Sequence, residues 1–193
     1  MKYICVFCGS ETGNRPQYIT EVKKLGKEMV KNNIQLIYGG GSIGLMGILA
    51  DEFLSLGGEV TGVIPRFLVA KEFDHQGITK LIKVNSMHER KQIMTELADG
   101  FIAMPGGFGT LEELAEILTW AQLGLIQKPI GLYNINGYYN SLISLFDTME
   151  ENGFLKNENK NLLLVDDDSK RLIEKLGYYK PVHVEKWLHK EQT

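Results

Sequence analysis

FIAMPGGFGTLEE, residues 101–113, is the stretch that decides the fold. An apolar run ends at Pro105, three glycines follow within four positions, and two carboxylates then open an amphipathic segment. This order predicts a strand, a tight turn and the start of a helix. Glycine allows close approach of a ligand to the backbone, and the unpaired N–H groups at a helix start favour an anion. The stretch therefore predicts an anion-binding turn.

A purely structural interpretation of the same residues is also open. Thr110 and Glu113 have the Thr-x-x-Glu spacing of a capping box, in which both side chains bond to backbone N–H groups at the helix start. Under that interpretation Glu113 stabilises the helix and takes no part in chemistry.

Short apolar runs alternate with amphipathic segments on both sides of this stretch. The runs predict strands at 3–7, 34–38, 59–64, 80–84, 100–104, 129–133 and 162–165, with helices between them and after the last. Such alternation predicts an α/β fold, a three-layer sandwich of a central, mostly parallel sheet with helices on both faces. We expect one domain over residues 1–193, with a core at about 1–176 and a C-terminal tail at 177–193.

Polar or glycine-rich loops follow several of the predicted strands. They include Gly9-Ser10, the run from Gly39 to Ser42 and the turn after Met104. Because ligands bind at the carboxyl ends of strands in such sheets, these loops predict a nucleotide-sized crevice. Ser10, Gly40 and Gly41 are candidate ligand contacts on this ground.

The run from Gly39 to Gly44 also satisfies G-x-G-x-x-G, and Glu59 lies twenty residues past its first glycine. We reject a dinucleotide-binding fingerprint, because the glycines follow the second predicted strand and Glu59 begins its strand instead of ending it. No Gly-Lys-Ser/Thr occurs, so the loop is not a Walker A motif.

The composition is typical of an ordinary globular protein, with 44% hydrophobic and 23% charged residues. A net charge of -3 gives no electrostatic footprint for a nucleic-acid partner. Cys5 and Cys8 lie in or beside a predicted strand with no second ligand pair, so we expect buried thiols and no metal site. The opening residues do not resemble a signal peptide, and no apolar run has the length of a membrane span, so we expect a cytoplasmic protein without a membrane partner.

Four motifs in order resemble one known family. They are GGGSIGLMG at 39–47, MHERK at 87–91, PGGFGTLEE at 105–113 and TWAQLG at 119–124. Together they resemble the LOG ("lonely guy") family of cytokinin riboside 5′-monophosphate phosphoribohydrolases, many bacterial members of which were long mislabelled lysine decarboxylases. The resemblance covers residues 3–150.

The resemblance implies a Rossmann-like enzyme that hydrolyses the N-glycosidic bond of a purine nucleoside 5′-monophosphate, AMP or an N6-modified AMP. The products would be the free base and ribose 5-phosphate. It further implies a homodimer with the site near the interface, and neither a metal nor a redox cofactor.

The resemblance also assigns roles to individual residues. Glu113 and Arg90 would be catalytic, with Glu113 stabilising the oxocarbenium-like ion electrostatically or acting as a general base. Substrate contacts would come from Glu72, Arg90, Lys91, Gly106, Gly107, Phe108, Gly109, Thr110, Leu111, Glu112 and Thr119.

Two other functions compete with this assignment. A nucleotide- or cofactor-precursor-binding carrier of the same fold would bind the ligand without turnover. A pyridoxal phosphate decarboxylase would need a Schiff-base lysine, and no lysine here lies in a context that marks it as one.

Overall fold

A computed structural model describes residues 1–69 and 74–181. Within these ranges, seven strands form one sheet, and seven helices connect or flank them. The strands are β1 (Tyr3–Phe7), β2 (Gln35–Tyr38), β3 (Val60–Pro65), β4 (Lys80–Val84), β5 (Gly100–Ala103), β6 (Ile130–Tyr133) and β7 (Leu163–Asp166). The helices are α1 (Pro16–Lys31), α2 (Gly44–Ser55), α3 (Met87–Leu97), α4 (Phe108–Gln122), α5 (Asn140–Glu151), α6 (Asn157–Lys160) and α7 (Ser169–Tyr178).

The strand order is β4-β3-β2-β1-β5-β6-β7, and every pairing is parallel. The predicted mostly parallel sheet is therefore confirmed. The chain moves outward from β1 to β4 and then returns to β5, which pairs with the other side of β1. The gap between β1 and β5 is the point at which the winding reverses, where a parallel sheet offers its crevice.

Helices cover both faces of the sheet. Side chains of α1, α2 and α7 form one apolar cluster with inward-facing strand residues such as Ile4 and Leu36. Side chains of α3, α4 and α5 form the other, around Phe101 and Leu132. The three-layer arrangement follows from strands that are apolar on both sides, as the continuous apolar runs predicted.

Local departures from the sequence prediction are small. A short helix, α6, and 3₁₀ turns at Arg66–Leu68 and Ile135–Gly137 were not predicted. Each spans only one helical turn, which is too short to generate a periodic pattern. Within the described ranges, no helix combines the length and the apolar character needed to cross a bilayer.

Candidate active site

The carboxyl ends of β1 and β5 are joined by backbone hydrogen bonds. Met104 N–H donates to Phe7 O at 2.8 Å, and Gly9 N–H donates to Pro105 O at 3.1 Å. The β1 loop and the glycine turn after β5 therefore lie side by side at the reversal point, as the sequence predicted.

Helix α4 begins at Phe108, with Gly107 as its N-cap. Thr110 is already the third helical residue and is buried at 4% exposure, and no side chain caps this helix. The capping-box interpretation is therefore wrong, because a glycine opens the helix three residues before Thr110. Glu113, the sixth helical residue, lies beyond the first turn.

A cavity of about 290 Å³ opens at this helix start. It brings together many of the residues that the sequence singled out, namely Ser10, Arg90, Gly107, Phe108, Gly109, Thr110, Glu112 and Glu113. Its wall is completed by Val6, Phe7, Cys8, Gly9, Gly39, Met46, Leu68, Met87 and Met94. Of these, Gly39, Met46 and Leu68 were not predicted as site residues. Gly39 begins the glycine run, which was the one signal that could have identified it.

Arg90 is a buried charged group of the cavity whose described hydrogen bonds are long. The residue is 5% exposed, and Nε has no hydrogen-bond partner among the described residues. Its Nη2 donates to Gly39 O over a long 3.4 Å, and Nη1 lies 3.8 Å from Met87 Sδ. A buried guanidinium with unused donors is costly unless a ligand completes it, so the cavity is built for an anion or for hydroxyl acceptors.

Glu113 brings a carboxylate to the same cavity from the other helix. The negative charge of Glu113 acts electrostatically on the neighbouring thiols of Cys5 and Cys8. Burial raises the pKa of Cys5 and of Cys8, and the nearby Glu113 carboxylate raises the pKa of both further. Both cysteines are free and buried, as predicted, and remain protonated at neutral pH.

Lys91 does not reach the cavity. Its Nζ lies 2.5 Å from Glu112 Oε1 and 2.9 Å from Glu116 Oε1, and its side chain is 9% exposed. Burial lowers the pKa of Lys91, but hydrogen bonds to the two carboxylates outweigh that effect and the pKa is raised. The structure thus directs Lys91 toward α4, whereas its neighbour Arg90 faces the cavity.

The remaining predicted contacts lie elsewhere. Leu111 and Thr119 line an apolar groove of about 340 Å³ between α4 and α5, where the Thr119 hydroxyl donates to Ala115 O at 2.8 Å. Gly106 lines an adjoining cavity, which shares Gly9, Ser10 and Gly107 with the first.

Gly40 and Gly41 make backbone contacts with the segment that follows residue 73. Gly40 O accepts from His75 N–H at 3.0 Å, and Gly41 forms a bridge with Asp74. Glu72 lies outside the described residues. Within the described part of the chain, no group of three or more His, Cys, Asp or Glu side chains could hold a metal ion.

Comparison with known proteins identifies the family of the chain. A family profile described as "Possible lysine decarboxylase" matches residues 46–176. A cytokinin riboside 5′-monophosphate phosphoribohydrolase of Arabidopsis thaliana is 47% identical over 182 residues, covering 94% of this chain and 85% of the relative. A probable enzyme of the same name from Oryza sativa subsp. japonica is 46% identical, covering 93% and 74%. This protein belongs to the LOG family.

Solved structures confirm the fold. A molybdenum cofactor carrier protein from Chlamydomonas reinhardtii superposes with a TM-score of 0.70 at 19% identity, covering 92% of this chain and 99% of that one. A molybdenum cofactor binding protein from Rippkaea orientalis gives 0.67 at 21% identity, covering 91% and 95%. At these identities the likeness shows a shared Rossmann-like architecture and carries no information on ligands.

The decarboxylase description of the matching family profile does not agree with the site. A Schiff-base lysine needs a lowered pKa and access to the ligand. Among the described residues that line the cavity there is no lysine. The nearby Lys91 has a raised pKa and is paired with two carboxylates. The geometry therefore favours the phosphoribohydrolase relatives over decarboxylation.

Proposed function

We propose that this LOG-family protein hydrolyses the N-glycosidic bond of purine nucleoside 5′-monophosphates, namely AMP or N6-modified AMP such as cytokinin riboside monophosphates. The products are the free base and ribose 5-phosphate. The observation that carries the proposal is the meeting of Arg90 and Glu113, from two different helices, in one cavity at a glycine-capped helix start.

The phosphate is assigned to the start of α4. The first-turn N–H groups lack carbonyls ahead of them in the helix, and the helix dipole favours negative charge. Gly107 and Gly109 expose this backbone, because a Cβ at either position would meet nothing within 4 Å among the described residues. Ser10, Phe108 and Thr110 border the same space.

The ribose is assigned to the interval between the helix start and Glu113. Six residues of α-helix separate Gly107 from Glu113, about 9 Å, and helical side chains lean back toward the N-terminus. Glycosidic cleavage builds positive charge at C1′, which a carboxylate stabilises. Glu113 fills that role, either electrostatically or by activating the attacking water, and the Arg90 fork binds ribose or phosphate oxygens.

The activity is tested by incubating the protein with a panel of purine nucleoside 5′-monophosphates and measuring free base and ribose 5-phosphate. We expect Glu113→Gln to lower kcat by at least about 100-fold, in line with the loss of one preorganised electrostatic group. Glu174→Gln removes an exposed carboxylate on α7 and is the matched control. Full turnover by Glu113→Gln would refute the mechanism, and binding of AMP without any product would identify a carrier instead.

We also propose that the protein is a homodimer and that the α4–α5 groove lies in the interface. The groove is mostly apolar, with Leu111, Leu118, Leu142, Leu145, Phe146 and Met149 in its wall. Thr119 lines this groove and not the cavity, so a substrate contact by Thr119 requires that the groove approach the cavity of a second copy. The site implied by the resemblance is then shared between two chains.

A cytoplasmic location completes the proposal. It is supported by Cys5 and Cys8, which are unpaired thiols, as is usual in a reducing compartment.

A further inference from the structure

Arg90 and Glu113 come from elements that the sheet does not place side by side. Helix α3, which carries Arg90, follows the edge strand β4, whereas α4, which carries Glu113, follows β5. Three strands, β3, β2 and β1, lie between β4 and β5, and α3 crosses over the sheet to return. The two catalytic side chains therefore depend on how α3 is held against α4.

Lys91 on α3 forms a polar link to α4. Its ammonium contacts Glu112 and Glu116, which lie four residues apart on one face of α4. The side chains are 9% exposed for Lys91 and 22% for Glu116, against 54% for Glu112. A pair that is shielded from solvent is screened less than a surface pair, so the Glu116 contact is the better protected of the two.

The two carboxylates differ in their relation to the ligand. Glu112 lines the cavity and Glu116 does not. Removing Glu116 therefore changes the link between the helices without touching the space for substrate.

We propose that Glu116 is a positioning residue, which fixes Lys91 and thereby α3 so that Arg90 faces Glu113 across the cavity. The inference rests on the proposed hydrolysis of nucleoside monophosphates. It assigns Lys91 to the framework of the site, whereas the resemblance assigns it a direct substrate contact.

The two assignments predict opposite results for Glu116→Gln. If Glu116 positions α3, the phosphate grip of α4 is retained and the alignment of the reacting groups is lost. The kcat for AMP then falls about 10- to 100-fold while KM changes little, as expected for a misplacement of about 1 Å. If Lys91 instead binds the substrate, loss of Glu116 leaves its ammonium paired with Glu112 alone, and kcat is unchanged while KM stays the same or falls.

Four further variants complete the kinetic test. Lys91→Met removes the contacts to both Glu112 and Glu116, so its kcat is expected to fall at least as far as that of Glu116→Gln, and the double variant is expected to lose no more than Lys91→Met alone. Lys91→Arg keeps a cation between the two carboxylates and is expected to retain most of the kcat. Glu174→Gln, with the same charge change on α7, is the control and keeps wild-type kcat. Wild-type kcat in Glu116→Gln would overturn the inference.

An NMR measurement tests the role of Glu116 independently of turnover. The Arg90 Nε–H resonance in a ¹⁵N-labelled protein, assigned by its loss in Arg90→Lys, reports the buried guanidinium directly. We expect Glu116→Gln to shift or broaden this resonance while the circular dichroism spectrum and Tm show a folded protein, and Glu174→Gln to leave it in place. An unmoved resonance would overturn the inference, and an inactive wild type with a moved resonance would refute the hydrolase proposal alone.

Discussion

At the scale of single residues, the site is defined by a buried arginine that packing holds in place. Arg90 is 5% exposed, and its hydrogen bonds to described residues are long, at 3.4 Å to Gly39 O and 3.8 Å to Met87 Sδ. A charge in this condition costs stability in the empty protein. That cost is reasonable at a position which a negatively charged ligand completes, and it makes the neighbours of Arg90 as important as Arg90 itself.

Gly39 provides the space for the Arg90 guanidinium. A Cβ on Gly39 would overlap Arg90 Nη2 and lie 3.1 Å from Met46 Sδ. We expect Gly39→Ala to displace Arg90, to lower kcat at least about tenfold and to cost about 1–3 kcal/mol of unfolding free energy through overpacking. Steady-state kinetics and urea denaturation measure the two effects.

The control is the same substitution in an Arg90→Ala background. With the guanidinium gone, the main clash is removed, so the stability cost of Gly39→Ala should fall to a few tenths of a kcal/mol, within the usual range of additivity error. Equal costs in the two backgrounds would show that Gly39 is constrained by something other than Arg90.

At the scale of secondary-structure elements, the start of α4 is a place where one substitution is expected to raise stability and to weaken substrate binding. Gly109 is the second residue of the helix, and a Cβ there would meet no described atom within 4 Å. We expect Gly109→Ala to stabilise the empty protein by up to about 1 kcal/mol, because alanine loses less backbone entropy in a helix than glycine does. The methyl group would enter the space assigned to the phosphate, so KM for AMP should rise about tenfold.

Gly177→Ala is the matched control, since Gly177 lies in α7 outside the cavity, and a Cβ there would also meet no described atom within 4 Å. It should give the gain in Tm without the change in KM. A Gly109→Ala protein with wild-type KM would place the phosphate away from this turn.

Elements were predictable from the sequence to the extent that their pattern is local. The apolar runs and the proline and glycine stops located all seven strands to within a residue or two. The helix start at Phe108 was not anticipated, because Thr110 fits a capping box equally well until the backbone path is known. The partners of Lys91 lie 21 and 25 positions further along the chain on another helix, and no spacing rule reveals a contact of that kind.

Ion pairs at the junction of β7 and α7 contribute stability that is lost at low pH. The Asp166 side chain is 5% exposed and lies 2.8 Å from both Lys175 Nζ and Arg171 Nη2. Burial by itself raises the pKa of Asp166, but hydrogen bonds from Lys175 and Arg171 outweigh it and hold the pKa well below its ordinary value. Asp166 therefore contributes stability that is fully present above the unfolded-state pKa of about 4 and is lost as the pH falls through the lower folded-state pKa.

We expect Asp166→Asn to reduce the free energy of unfolding by about 1–3 kcal/mol at pH 7. The difference from wild type should shrink steadily below about pH 4, because Asp166 takes up a proton in the unfolded state while it remains ionised in the folded state. Urea denaturation from pH 7 down to pH 3 measures it. A difference that stays constant over that range would mean that the Asp166 charge is not what stabilises the junction.

At the scale of the whole molecule, the winding order of the sheet assembles the site. Ser10, Gly39, Arg90 and Glu113 are spread over more than half of the chain, and they meet because β1 and β5 are neighbours at the reversal point. Parallel strands place all the following loops at one edge, which made the crevice predictable from the sequence. The groove between α4 and α5 was not predictable, since an amphipathic pattern does not show whether a helix has apolar surface left after packing.

That groove carries the last prediction. Leu145 on α5 lines it and is 47% exposed, so a glutamate there should be tolerated by the folded monomer while placing a charge in the proposed interface. We expect Leu145→Glu to convert the proposed dimer to a monomer in light scattering coupled to size exclusion, with Tm in the monomeric state close to that of wild type. Leu56→Glu, at a leucine of 42% exposure just after α2 and outside the groove, is the matched control and should remain dimeric. If Thr119 reaches the partner's substrate, the monomeric variant should also lose activity at dilutions where the Leu56→Glu protein keeps it, and a Leu145→Glu protein that stays dimeric would place the interface on another face.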